Sequence, residues 1–253
     1  MSLNREDRLL QKTLSDWQGW SISSSKKPVV VSELKGGKTN RSFLVETTYE
    51  QVVVRINAAN GRSLGVDRRQ EAEILSRLQI LDCVPKIFFI SDQVLVSEYI
   101  PGRCWDTEDL KKKDQLRKLS NLVEDLQGIS LPENITQRNY VAYCQHYIQQ
   151  LSVVVRQSER EFIERVHGAA KTIDEAHWKP VINHHDLVPE NIIESERGLF
   201  LLDWEYAAYG HPGIDFIRLY GEEYSSFVNT STLMKELLTL QQGIDKLWSW
   251  VNY

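Results

Sequence analysis

Cysteine is scarce in this chain: Cys83, Cys104 and Cys144 are the only three in 253 residues. They are scattered and odd in number. They offer no disulfide framework and no thiolate metal spacing, and they fit a reducing cytosol. No apolar run approaches the length of a membrane span, and the polar N-terminus carries no signal-peptide pattern. A cytoplasmic location without a membrane span is therefore expected. A strong excess of one charge is also lacking. The net charge is -5, which argues against a nucleic-acid partner. No internal repeat and no low-complexity tract interrupts the chain. What remains is an ordinary globular composition, 42% hydrophobic and 26% charged, at a length that suits one large domain or two small lobes.

Periodicity orders the elements. Leu9, Leu10, Leu14 and Trp17 give residues 1–20 a helical stripe. Val29–Val31, Ser42–Val45 and Gln51–Ile56 read as strands, with Gly36 and Gly37 in a turn between the first two. That turn is either a plain tight turn or a place where bare backbone approaches a ligand. Val66–Leu78 has a helical period with Ile74, Leu75 and Leu78 on one stripe. Glu71 falls on the same stripe and needs a cationic partner inside. Arg55, in the apolar strand Val52–Ile56, has the converse need, so the two are expected to pair. A purely structural ion pair is the plainer alternative. Lys86–Ile90 and Gln93–Ser97 read as further strands, closed by the break at Pro101-Gly102. Helical patterns follow at Leu116–Leu126, at Ile148–Ala176 and at Leu233–Val251. The expected class is α+β, with a β-rich lobe over residues 1–98 and a larger, mainly helical lobe over residues 99–253.

The chemistry sits in His184-His185-Asp186-Leu187-Val188-Pro189-Glu190-Asn191 and in Leu201-Leu202-Asp203-Trp204-Glu205. An Asp and an Asn five residues apart can enter one cleft from an irregular loop. Val181-Ile182, Ile192-Ile193 and Leu199–Leu202 flank the motif as short strands, and an Asp after the last can join that Asp and Asn. Two oxygen ligands for a hard cation plus one further carboxylate suit phosphoryl transfer. A zinc cluster of His184, His185, Asp186 and His211 is disfavoured, because adjacent histidines diverge and no Cys or H-x-x-x-H spacing supports them.

These motifs resemble the choline kinase and aminoglycoside phosphotransferase superfamily, from about Leu34 to about Asp215. Gly36-Gly37-Lys38-Thr39-Asn40 resembles its nucleotide loop, and Asp67-Arg68-Arg69-Gln70-Glu71 its D-R-x-x-E segment. Glu98-Tyr99-Ile100 looks like the linker that meets adenine. Leu202-Asp203-Trp204-Glu205-Tyr206-Ala207 is close to a segment shared by choline, ethanolamine and bacterial thiamine kinases. The resemblance implies a bilobal protein-kinase-like fold that uses ATP and Mg2+. It implies that Asp186 accepts the substrate hydroxyl proton, that Asn191 and Asp203 hold magnesium, and that Arg55, held by Glu71, touches the nucleotide phosphates. There are departures. His185 stands where Gly or Asn is common, and Gln127 where a His usually closes a helix.

The implied partner is a small alcohol, choline or ethanolamine first, thiamine second and an aminoglycoside third. A nucleotide-binding regulator without catalysis is the rival from another class. A cationic alcohol suits an aromatic wall beside an acid. Trp204, Tyr206, Tyr209, Trp248 and Trp250 could supply rings, and Glu205 and Asp215 the acids. Each also has a plainer reading, the rings as core and Asp215 as a pin for the loop. Oligomeric state is not legible.

Overall fold

The computed structural model of the chain describes residues 4–35, 39–133, 135–221 and 233–252. Among these the elements run α1 (Arg5–Ser15), β1 (Val29–Leu34), β2 (Arg41–Glu46), β3 (Gln51–Ile56), α2 (Arg68–Leu78), β4 (Ile87–Ile90), β5 (Val94–Glu98), β6 (Arg103–Cys104) and α3 (Lys113–Gln127). Then come α4 (Tyr140–Gln150), α5 (Val153–Ser158), α6 (Arg160–Glu175), β7 (Val181–Asn183), β8 (Ile192–Ser195), β9 (Gly198–Leu201), β10 (Ala208–Gly210), α7 (Ile214–Tyr220) and α8 (Met234–Asn252). The order is mixed α+β, as the periodicities imply.

The chain divides into two compact units. The first comprises residues 1–61, 67–106 and 190–205. Its five-stranded antiparallel sheet has the order β1-β2-β3-β5-β4. Alternation in β2 and β3 turns Phe43, Val45, Val52 and Val54 inward, and they pack with Leu10 and Leu14 of α1. A smaller sheet, β6-β8-β9, pairs Arg103 with Glu194 and Ile193 with Phe200. Asp67 caps α2, its side chain accepting from the backbone N–H of Arg69 and Gln70.

The second unit comprises residues 62–66, 107–189 and 206–253. Its core joins α4, α6, α7 and α8 through Tyr140, Tyr147, Val166, Ile173, Ile217, Leu237, Leu240 and Leu247. Gly243 lets α8 approach α6, because a Cβ there would lie 2.5 Å from Val166. One expectation is corrected. The helical pattern over Ile148–Ala176 is not one helix but the end of α4, then α5 and α6. Leu151 is extended at the end of α4, and Ser152 restarts the chain as an N-cap that accepts from Val155 N. β6 and β10 were not foreseen, being too short to carry a period.

Candidate active site

In the first unit, β3 carries Arg55 on the sheet face opposite to Val52 and Val54, and α2 carries Glu71 toward it. Arg55 Nη2 donates to Glu71 Oε1 at 2.6 Å, with side-chain exposures of 9% and 1%. This is the pair the two interior charges require. Burial opposes the Glu71 charge, but Arg55 and Arg68 outweigh it and hold the carboxyl below its ordinary range. Burial likewise opposes the Arg55 charge, and the surrounding acids more than restore it. Arg55 also donates from Nε to Asn57 and from Nη1 to Asp203, at 3.0 and 3.3 Å.

Arg68 extends this network beyond what sequence reasoning found. It donates to Glu71 Oε2 at 2.8 Å and to Glu205 Oε2 at 2.9 Å. Its place three residues before Glu71, on the same helical stripe, was the available signal. Glu205, considered above for the substrate cation, is engaged within the protein. It is buried and accepts from Arg68 and from Asn40 Nδ2, the latter at 2.8 Å. Asn40 is occupied on its other side too, where Oδ1 accepts from Ala58 N and from Arg68. Its neighbour Thr39 is half-buried. Gly36, Gly37 and Lys38 lie outside the described residues.

The segment expected to meet adenine ends β5. Glu98 accepts from Lys86 N and from Arg197, and its own N–H donates to Lys86 O. Tyr99 N donates to Gln51 O. Ile100 is buried with Ile193 and Phe200.

Asn191 and Asp203 flank the β8–β9 hairpin and are brought together by its pairing: Leu202 N donates to Asn191 O at 2.8 Å. Asp203 adopts a left-handed backbone, φ 59°, which Asp tolerates better than most residues. Its side chain is 34% exposed. An amide oxygen and an accessible carboxylate form a donor set for a hard cation such as magnesium, which takes its other ligands from phosphates and water. Among the described residues no three His, Cys, Asp or Glu side chains gather to hold a metal.

In the second unit Asp186 sits in the loop after β7. Asp215, in the first turn of α7, accepts the backbone N–H of His184 at 2.7 Å and of His185 at 2.9 Å. Burial raises the Asp215 carboxyl above its usual range, although His184 and the two N–H groups offset part of this. It is buried and braces the loop. Within the loop, Asp186 N donates to His184 Nδ1 at 3.3 Å. His185 takes φ 62°, which accounts for the usual Gly or Asn at this place. Burial, with Arg138 nearby, keeps its imidazole neutral. Gly210 makes room for it, since a Cβ there would come within 2.6 Å of Tyr140 Oη and 2.8 Å of the His185 ring. Gln127 supplies the bracing expected of the usual His, donating to Asn183 Oδ1 and Pro212 O.

Of the candidate rings, Tyr209 and Trp204 are buried. Tyr206 and Trp248 are half-buried and joined, with Trp248 Nε1 donating to Tyr206 Oη at 3.0 Å. Sequence reasoning missed Arg218 of α7 entirely. It donates to Asp186 Oδ1 at 3.0 Å.

The family profile described as choline/ethanolamine kinase matches residues 31–232. The chain belongs to the choline/ethanolamine kinase family. Members of this family are phosphotransferases that act on alcohol hydroxyls. Protein LicA homolog of Mycoplasma capricolum subsp. capricolum is 28% identical over 190 residues, which cover 73% of this chain and 69% of that protein. Ethanolamine kinase 2 of Homo sapiens is 24% identical over 237 residues, 88% of this chain but 58% of the human protein. A crystal structure of LicA in complex with AMP superposes with a TM-score of 0.77 at 24% identity, covering 99% of this chain and 91% of that one. That likeness concerns the fold, which is bilobal and protein-kinase-like. Among the described residues no helix is long and apolar enough to cross a membrane.

Proposed function

We propose that this choline/ethanolamine kinase family member is an ATP- and magnesium-dependent kinase of a small cationic alcohol, choline or ethanolamine first and thiamine second. The observation that carries the reading is the complete set Asp186, Asn191 and Asp203 within a chain that matches the family over residues 31–232. A nucleotide-binding regulator would have no use for all three.

Asp186 aligns the acceptor hydroxyl and takes its proton as the hydroxyl oxygen bonds to the γ-phosphorus of ATP, while the bond from that phosphorus to the bridging oxygen breaks and ADP leaves. Arg55 contacts the nucleotide phosphates, and Glu71 and Asn57 fix the direction of its guanidinium. Asn191 and Asp203 hold magnesium, which when bound neutralises charge on the phosphates. Tyr206 and Trp248 offer the acceptor ring faces, which attract an ammonium or thiazolium group. The acids first considered for that cation, Glu205 and Asp215, are buried on other partners. The rings therefore carry the recognition.

The test is ADP release by the purified chain with ATP and magnesium, compared as kcat/KM for choline, ethanolamine, thiamine, kanamycin and a neutral sugar alcohol. Highest values for choline or ethanolamine are expected. No release above background with any alcohol would leave the regulator reading. A preference for kanamycin or the sugar would remove the cationic alcohol and leave the kinase.

A further inference from the structure

Arg218 belongs to no motif, yet it touches the residue on which the proposed chemistry turns. Its Nη2 donates to Asp186 Oδ1 at 3.0 Å. Its Nη1 donates to both carboxylate oxygens of Asp245 on α8, 2.5 Å to Oδ1. The Arg218 side chain is 18% exposed, whereas Asp245 is 50% exposed. Burial works against the guanidinium, but the two acids more than compensate and secure its charge. Asp245 is steadied in turn by Gln241 Nε2 at 3.2 Å. Gln241, Asp245 and Trp248 follow one edge of α8 at intervals of four and three residues. The same edge thus holds Arg218 through Asp245 and Tyr206 through Trp248.

We propose that Arg218 is a positioning residue: it fixes the rotation of the Asp186 carboxylate, and Asp245 fixes Arg218. The proposal rests on Asp186 being the base. A planar guanidinium can serve two carboxylates in set directions, which a lysine ammonium reproduces only in part. The loop backbone does not depend on Arg218, since Asp215 already accepts the N–H groups of His184 and His185. What Arg218 adds at the loop is a contact to the Asp186 side chain, alongside its pair with Asp245. Asp245 is half exposed, which weakens its pair with Arg218 relative to a fully buried one. The orientation of Asp186 matters, because a carboxylate turned out of line loses the hydroxyl it must meet within hydrogen-bond reach.

The test uses the full chain, with the alcohol it turns over fastest. Arg218→Met should lower kcat about 10–100-fold while KM for ATP and the unfolding temperature stay near the parent. Arg218→Lys should recover part of the loss. Millimolar guanidinium should restore part of kcat to Arg218→Ala and leave the parent unaffected. Asp245→Asn should lower kcat in the same sense by less. A kcat within twofold of the parent in Arg218→Met would overturn the proposal. So would a loss that neither Lys nor guanidinium relieves, which is the mark of a structural role. If Arg218→Met does not fold, Asp245→Asn and Arg218→Lys decide by the same criterion. A parent that turns over no alcohol removes the kinase reading and this proposal with it. An active parent with insensitive Arg218 variants removes this proposal alone.

Discussion

Glu71 is almost wholly enclosed and still charged, because each of its oxygens meets a different guanidinium, Arg55 and Arg68. Removing one member of a buried pair costs about 3–5 kcal/mol, since the partner is left uncompensated. Glu71→Gln should therefore destabilise the chain by about that amount in urea unfolding at pH 7. The sign with pH follows from the lowered carboxyl. Its contribution is complete above about pH 4.5, the ordinary value, and fades as the pH falls through the lower folded value. Parent and variant curves should thus converge in acid, and a constant gap would contradict the charge assignment. The Arg55–Glu71 pair was legible because apolar neighbours on both elements point the two charges inward. Arg68 was not, since a basic residue in a first helical turn reads as solvated. Arg218 was invisible for a related reason, as its partners Asp186 and Asp245 are 32 and 27 residues away.

Among elements, the loop between β7 and β8 depends on a short helix. α7 delivers Asp215 to two consecutive backbone N–H groups, and this brace supports His185 in its left-handed conformation. Asp215→Ala would strand both donors at about 1–3 kcal/mol each. The expected outcome is a lower unfolding temperature together with a lower kcat and little change in acceptor KM. A rise in acceptor KM at unchanged unfolding temperature would instead return Asp215 to the substrate. Long elements were readable, because three or more turns of α2, α3 and α8 repeat their apolar stripe. The break between α4 and α5 was not, because the stripe resumes after it and only the cap at Ser152 marks the gap. β6 and β10 are fixed by partners distant in sequence, as when Arg103 pairs with Glu194.

At the scale of the whole molecule, the order of strands, then helices, then a motif on short strands was enough to expect an α+β kinase-like fold. The division of chemistry between the two compact units was not, because residues 190–205 join the first unit through strand pairing that local patterns do not encode. Arg55, Glu71, Asn191 and Asp203 all belong to the first unit, and Asp186, Arg218, Tyr206 and Trp248 to the second. If the proposed roles hold, nucleotide binding and turnover should be separable by substitution. Asp186→Asn keeps the size of the side chain but removes its negative charge and its capacity as a base. It should lose about 10²–10⁴-fold in kcat and still bind magnesium–ATP as the parent does in calorimetry. Asp203→Ala should weaken magnesium–ATP binding itself, and more than Asn191→Ala, because the carboxylate brings a full charge to the cation and the amide only a dipole. It should also release Arg55 from one of its acids, so the change is read by titrating magnesium at fixed nucleotide, which isolates the metal. Equal magnesium dependence in Asp203→Ala and the parent would remove Asp203 from the metal site. Unchanged turnover in Asp186→Asn would remove the base, whatever the nucleotide did.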